Sequence, residues 1–156
     1  MSTQATKPYC GLEDALEVFA KFVIVYEEKI AKLRNYTDFK VEFPRTSKIF
    51  DNKIQHCVKY VKCCDMKNIK TYAKYTLFFA KKNYQVADLC RHLRNFFAHA
   101  LIETDGMKLF ITDVNNKKQT SSSGYLDKSL IISFLTELIN EYEESFTVSK
   151  RKRKCK

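Results

Sequence analysis

The segment Cys90-Arg91-His92-Leu93-Arg94-Asn95-Phe96-Phe97-Ala98-His99-Ala100 gathers the side chains of this sequence best suited to act on a phosphodiester. Arginine is always charged, and its planar fork can grip a phosphate at two points. A neutral imidazole can take a proton near physiological pH, and the imidazolium can return one to a leaving oxygen. Arg94 and His99 form the candidate pair. Arg91 is a second candidate phosphate contact, with a plain surface charge as the alternative. His92 reads either as a further contact and proton carrier or as a solvated histidine at the edge of a polar face.

These residues need an element to present them, and a helix does so cleanly. Projected at about 100° per residue, Leu89, Leu93, Phe96, Phe97 and Ala100 share one sector. Arg94, Arg91, Asn95, His99 and His92 fill the opposite one. Five positions separate Arg94 from His99, which places them about 140° apart on a straight helix, at the two edges of the polar sector. One helix cannot close that pair, but two helices facing each other across a two-fold axis bring both edges into one cleft. The sequence has no acid between Asp88 and Glu103, so the polar face itself offers nothing to hold a magnesium ion.

The string Leu93-Arg94-Asn95-x-Phe97-Ala98-His99 resembles the HEPN superfamily motif, in which an Arg and a following polar residue precede a His on one helix. Its form is similar to one bacterial branch where the motif helix is followed by a short β-ribbon and a final helix. The resemblance covers residues 84–142. It implies an all-α fold, a bundle of four to five helices with a short β-ribbon between the last two, that dimerises around the motif. It further implies a metal-independent endoribonuclease in which Arg94 orients the scissile phosphate and His99 acts as acid or base. Asn95 would hold the imidazole or contact RNA, and the RNA 2′-hydroxyl would attack to leave a 2′,3′-cyclic phosphate. Toxin-type or defence roles, with an antitoxin or other regulatory protein as a further partner, follow from the same likeness. No metal or cofactor is called for.

The rest of the chain reads as helices that support this one. Leu12, Leu16, Phe19, Val23, Tyr26, Ile30 and Leu33 recur at steps of four and three, predicting a first helix over 11–35. Residues 36–46 lose that period, and Pro44 biases Phe43 towards extended geometry, which predicts a loop. Phe50, Ile54, Cys57, Val58, Val61 and Cys64 predict a second helix. Ile69 to Ala80 predict a third, capped by Asn68. The motif helix spans about 84–100. Asp105-Gly106 is a two-residue turn signal before the alternating Met107–Thr112 stretch, hence the ribbon. Residues 115–124 are polar and Ser-rich and predict a loop. Asp127 caps a last helix carrying Ile131, Phe134, Leu135, Leu138, Tyr142 and Phe146 on one face.

Composition agrees with a helical, globular chain of one domain over residues 1–149. Of 156 residues 45% are hydrophobic, with Phe 12 and Tyr 9, but only Gly 3 and Pro 2, too few for a sheet protein built on many tight turns. Six of the ten net positive charges sit in the last seven residues. Lys150, Arg151, Lys152, Arg153 and Lys154 thus read as an RNA-attracting basic tail over 150–156, or as a solvated, disordered end. The six cysteines include no Cys-x-x-Cys pair, and Cys57, Cys64 and Cys90 fall on apolar helical faces, where they read as small hydrophobes in a reducing compartment. No apolar segment reaches the length of a membrane span, and the first residues lack the apolar core of a signal peptide. The expected location is cytoplasmic, with no membrane partner. Two non-enzymatic readings remain beside the nuclease: a HEPN-like helical module that binds RNA or a protein without cutting, and a scaffold whose polar helix face closes a dimer.

Overall fold

The computed structural model describes residues 15–61, 77–80, 83–98, 103–105, 107–114, 117–118 and 120–154. Among them the chain is mainly helical. Five α-helices run α1 Leu16–Glu28, α2 Tyr36–Glu42, α3 Pro44–Ile49, α4 Gln85–Ala98 and α5 Lys128–Lys154. Five strands run β1 Val58–Val61, β2 Leu77–Ala80, β3 Glu103–Asp105, β4 Lys108–Val114 and β5 Thr120–Asp127.

The expected ribbon between the last two helices is present as β3, β4 and β5. The sheet is larger than that ribbon, which corrects the all-α bundle. Its order is β1-β2-β5-β4-β3, with β1 parallel to β2 and the other neighbours antiparallel. β1 and β2 occupy the end of the expected second helix and the end of the expected third. The remainder of that third helix, and Cys64, lie outside the described residues. The Ser-rich stretch expected as a loop is strand from Thr120 onward, and its central Gly124 takes φ 143°, a region that a Cβ disfavours. Along β4, buried Leu109 and Ile111 alternate with half-buried Lys108 and Phe110. One sheet face is thus turned to the core and packs on α4.

Residues 36–46 are two short helices rather than a loop. Asn35 accepts from the Asp38 N–H at 2.9 Å as an N-cap, and Pro44 opens α3 at a position where its missing N–H costs nothing. α3 runs on through a π-helical turn, Phe50–Ile54, and a 3-10 turn, Gln55–Cys57, before the chain extends into β1. The start of α3 is fastened to α5 by Glu141, a buried carboxylate. It accepts from the N–H groups of Arg45 and Thr46 at 2.8 and 2.9 Å and from the Thr46 hydroxyl at 2.6 Å. Those N–H groups have no partner inside their own helix, so the carboxylate fills the role of a cap delivered from a distance.

α1 buries Phe19, Phe22 and Val25. This face is rotated from the expected seam, since Leu16 is exposed and Val23 only half-buried; Leu12 lies outside the described residues. Phe19 stacks on Phe97 of α4 with ring centroids 3.8 Å apart, and Phe22 meets the same ring edge-on at 6.1 Å. α5 begins as expected, with Asp127 accepting from the Leu130 N–H at 2.9 Å. Its inner face, Ile131, Phe134, Leu135 and Leu138, is fully buried, while every residue from Glu143 to Lys154 is exposed. The segment expected as a disordered tail is therefore helical through Lys154: α5 continues past the core as a solvated extension.

Candidate nucleic-acid interface

α4 lies between α1 and the sheet, and both neighbours claim part of its surface. Past its first turn, from Leu89 to Ala98, its exposed or half-exposed positions are Arg91, Arg94, Asn95 and Ala98. They subtend an arc of about 100°, narrower than the polar sector expected from the sequence. His92 falls outside that arc and is completely buried. This corrects its assignment as an RNA contact: a helix covered on two sides leaves too small a free arc to include it.

His92 belongs instead to a polar cluster anchored on Asp88, also fully buried. The Asp88 carboxylate accepts from the Tyr60 hydroxyl at 3.1 Å, from the Asn83 N–H at 3.1 Å and from Arg91 Nη2 at 3.5 Å. Its place in the first turn of α4 suits an anion, because the free N–H groups of a helix start carry partial positive charge. Arg91 Nη2 also lies 3.2 Å from His92 Nε2. A guanidinium can only donate, so in a hydrogen bond between them the imidazole nitrogen is the acceptor. Burial, reinforced by the Asp88 charge, pushes the Tyr60 hydroxyl well above the ordinary tyrosine range. Arg91 is thus turned inward on a buried acid, which leaves it a poor phosphate contact.

Arg94 and Asn95 do occupy the free arc. Arg94 Nη1 donates to Asn95 Oδ1 at 3.3 Å. Arg94 Nε donates to Glu27 Oε1 of α1 at 2.7 Å, the two side chains being 33% and 51% exposed. The expectation of a face free of carboxylates is corrected by this contact. Glu27 stands 67 positions away in sequence, and only the packing of α1 on α4 reveals it. His99 lies outside the described residues, as do Ala100 and Leu101. The structure therefore brings Arg94 and Asn95 together and sets Arg91 and His92 apart from them.

The basic residues Lys150–Lys154 are exposed on the end of α5. Cys57 and Cys90 carry free thiols, and burial raises both above the ordinary thiol range. The buried Cys90 is inert packing, as expected; the other four cysteines lie outside the described residues. Among the described residues, no helix is long and apolar enough to cross a membrane.

Sequence reasoning missed Glu27, Asp88 and Tyr60. Asp88 alone left a signal, an acid at a helix start. No protein-family profile, curated protein or solved structure matches the chain.

Proposed function

We propose that the chain is a metal-independent endoribonuclease of HEPN type that works as a homodimer. The observation that supports it best is Arg94 beside Asn95 on the narrow free strip of α4, within the string Leu93-Arg94-Asn95-Phe96-Phe97-Ala98-His99. The only counter-ion described at Arg94 is the half-exposed carboxylate of Glu27, which solvent already screens and a phosphate can displace. The order of motif helix, ribbon and final helix over residues 84–142 is also that of the family branch which the motif resembles.

In this reading two copies meet along the α4 strip, so that each contributes Arg94 and His99 to one cleft. The scissile phosphate displaces Glu27 from Arg94, which holds it through its planar fork. His99 takes the proton from the 2′-hydroxyl or returns one to the departing 5′-oxygen. The new bond joins the 2′-oxygen to phosphorus, the bond to the 5′-oxygen breaks, and the products carry a 2′,3′-cyclic phosphate and a 5′-hydroxyl. The substrate supplies the nucleophile, so no metal is required and DNA resists. An antitoxin or other regulatory protein would restrain such an activity in a bacterial defence or toxin setting.

The second reading, a HEPN-like module that binds RNA or a partner without cutting, is favoured by one observation. Arg91 and Arg94 both already face carboxylates. Incubation of single-stranded RNA with the protein in EDTA, beside its His99→Ala variant, separates the two. Cleavage by the first and almost none by the second supports the nuclease. Salt-sensitive binding without cleavage selects the module.

A further inference from the structure

The exposed half of α5, the end of α1 and the turn that follows it enclose an open groove of about 450 Å³, walled by Glu28, Lys29 and Lys32 on one side and by Tyr142, Phe146 and Ser149 on the other. The α5 wall carries two aromatic rings. Phe146 is 50% exposed, although a ring of that size is normally covered, and it meets Tyr142 edge-on with centroids 4.8 Å apart. Helical spacing of four and seven places Lys150 and Arg153 on the same face of α5 as Phe146, and both are exposed.

The acids around the groove are engaged. Glu28 accepts from the Tyr142 hydroxyl, whose pKa is pushed up to about 12 chiefly by that bond. Glu143 pairs with Lys21 at 3.7 Å, and Glu144 is held by Arg45 at 2.9 Å. Lys29 pairs with Glu42 at 3.2 Å. The chain has no acid after Glu144, so the groove opens towards a helix end of a single charge sign.

We propose that this groove is a binding track for single-stranded nucleic acid, with a base stacked on Phe146 and the flanking phosphates met by Lys32, Lys150 and Arg153. Every base has a π-face, so an exposed aromatic within a cationic groove captures a strand without reading its sequence. The cationic end of α5 favours a polyanion, and the aromatic wall favours one that carries bases. The site is separate from the α4 strip. It shares the RNA ligand of the preceding section but not its chemistry, and it stands whether or not the protein cuts.

The test uses a labelled 2′-O-methyl oligoadenylate, which cannot be cleaved through its 2′-oxygen. The chain contains no tryptophan, so Phe146→Trp installs a single indole in the groove, excited apart from the tyrosines at the red edge of their absorption. The strand is expected to quench it on titration, whereas an abasic strand of the same length leaves it bright. Phe146→Ala should weaken the oligoadenylate about tenfold and leave the abasic strand unaffected. Lys32→Gln with Arg153→Gln should reduce the slope of log K against log salt by about 0.7 per charge removed. Phe146 is half-exposed, so these variants should keep the wild-type circular dichroism. Should Phe146→Ala fail to fold, the quenching result decides alone. An unquenched fluorophore with unchanged affinity for the strand overturns the proposal. So does tight binding of the Phe146→Trp protein to phosphatidylserine vesicles that the oligonucleotide cannot displace, which would make this face a membrane-surface helix.

Discussion

Replacing Glu27 with Gln removes the charge facing Arg94 while keeping the length of the side chain. The contact is close, at 2.7 Å, but 33% and 51% of the two side chains remain exposed. An ion pair this open contributes about 0.2–1 kcal/mol once screening and side-chain entropy are counted. At about 1.4 kcal/mol per tenfold, a phosphate that must displace Glu27 loses no more than about fivefold in affinity. Glu27→Gln should therefore bind a 2′-O-methyl RNA oligonucleotide about 1.5- to 5-fold more tightly than wild type, measured by fluorescence anisotropy at fixed salt. Adding Arg94→Gln to that variant should abolish the gain. The cost in stability should stay under about 1 kcal/mol, a fall in melting temperature of about 4 °C at most for a chain of this size. Weaker binding by Glu27→Gln, or a gain that survives Arg94→Gln, would refute the view that Glu27 competes with phosphate for Arg94. A much larger loss of stability would show that the pair is structural.

The anchoring of α3 on α5 predicts a larger effect. Glu141→Ala leaves the buried N–H and hydroxyl of Thr46 and the partly buried N–H of Arg45 without their charged acceptor, and should cost about 2–3 kcal/mol in urea unfolding; an unmoved midpoint would be inconsistent with the observed bonds. Tyr36, Tyr60 and Tyr84 are all raised above the ordinary tyrosine value, first by burial, with Asp51 adding to the effect at Tyr36 and Asp88 at Tyr60. Their folded values lie above the unfolded value of about 10, so the stability they contribute is complete below pH 10 and is lost as pH rises through the folded values. The urea midpoint should therefore fall above pH 10 as phenolate absorbance grows, and a midpoint that stays level there would contradict the burial of these rings.

Strong periodicity and local chemistry made some elements legible in the sequence. α4 and α5 follow long amphipathic runs, Asp127 is a side-chain cap, and the turn signal at Asp105 falls at the end of β3, where Asp105 pairs with Lys108 of β4. β1 and β2 were not legible, because Val58–Val61 and Leu77–Ala80 are four residues each, too short to separate a strand from a helix by period. The two helices at 36–49 carried signals in Asn35 and Pro44, but each is too short to establish a period of its own. At the site, the polar face of α4 was readable, whereas its partners were not. His92 is buried because α4 is covered from two directions, and a helical projection assumes one. Glu27 reaches Arg94 through tertiary packing alone, which no local spacing encodes.

Under the proposed mechanism Arg94 and His99 cleave RNA through its own 2′-hydroxyl. The ends of the cut strand test this most directly. Single-stranded RNA incubated with the protein in EDTA should yield fragments ending in 2′,3′-cyclic phosphate and beginning with 5′-hydroxyl, while DNA of the same sequence stays whole. His99→Ala should slow the reaction about a hundredfold or more, and Arg94→Lys should fail as well, since an ammonium lacks the planar fork. Fragments with 5′-phosphate ends, cleavage that appears only with added Mg²⁺, or a His99→Ala protein as fast as wild type would contradict the mechanism.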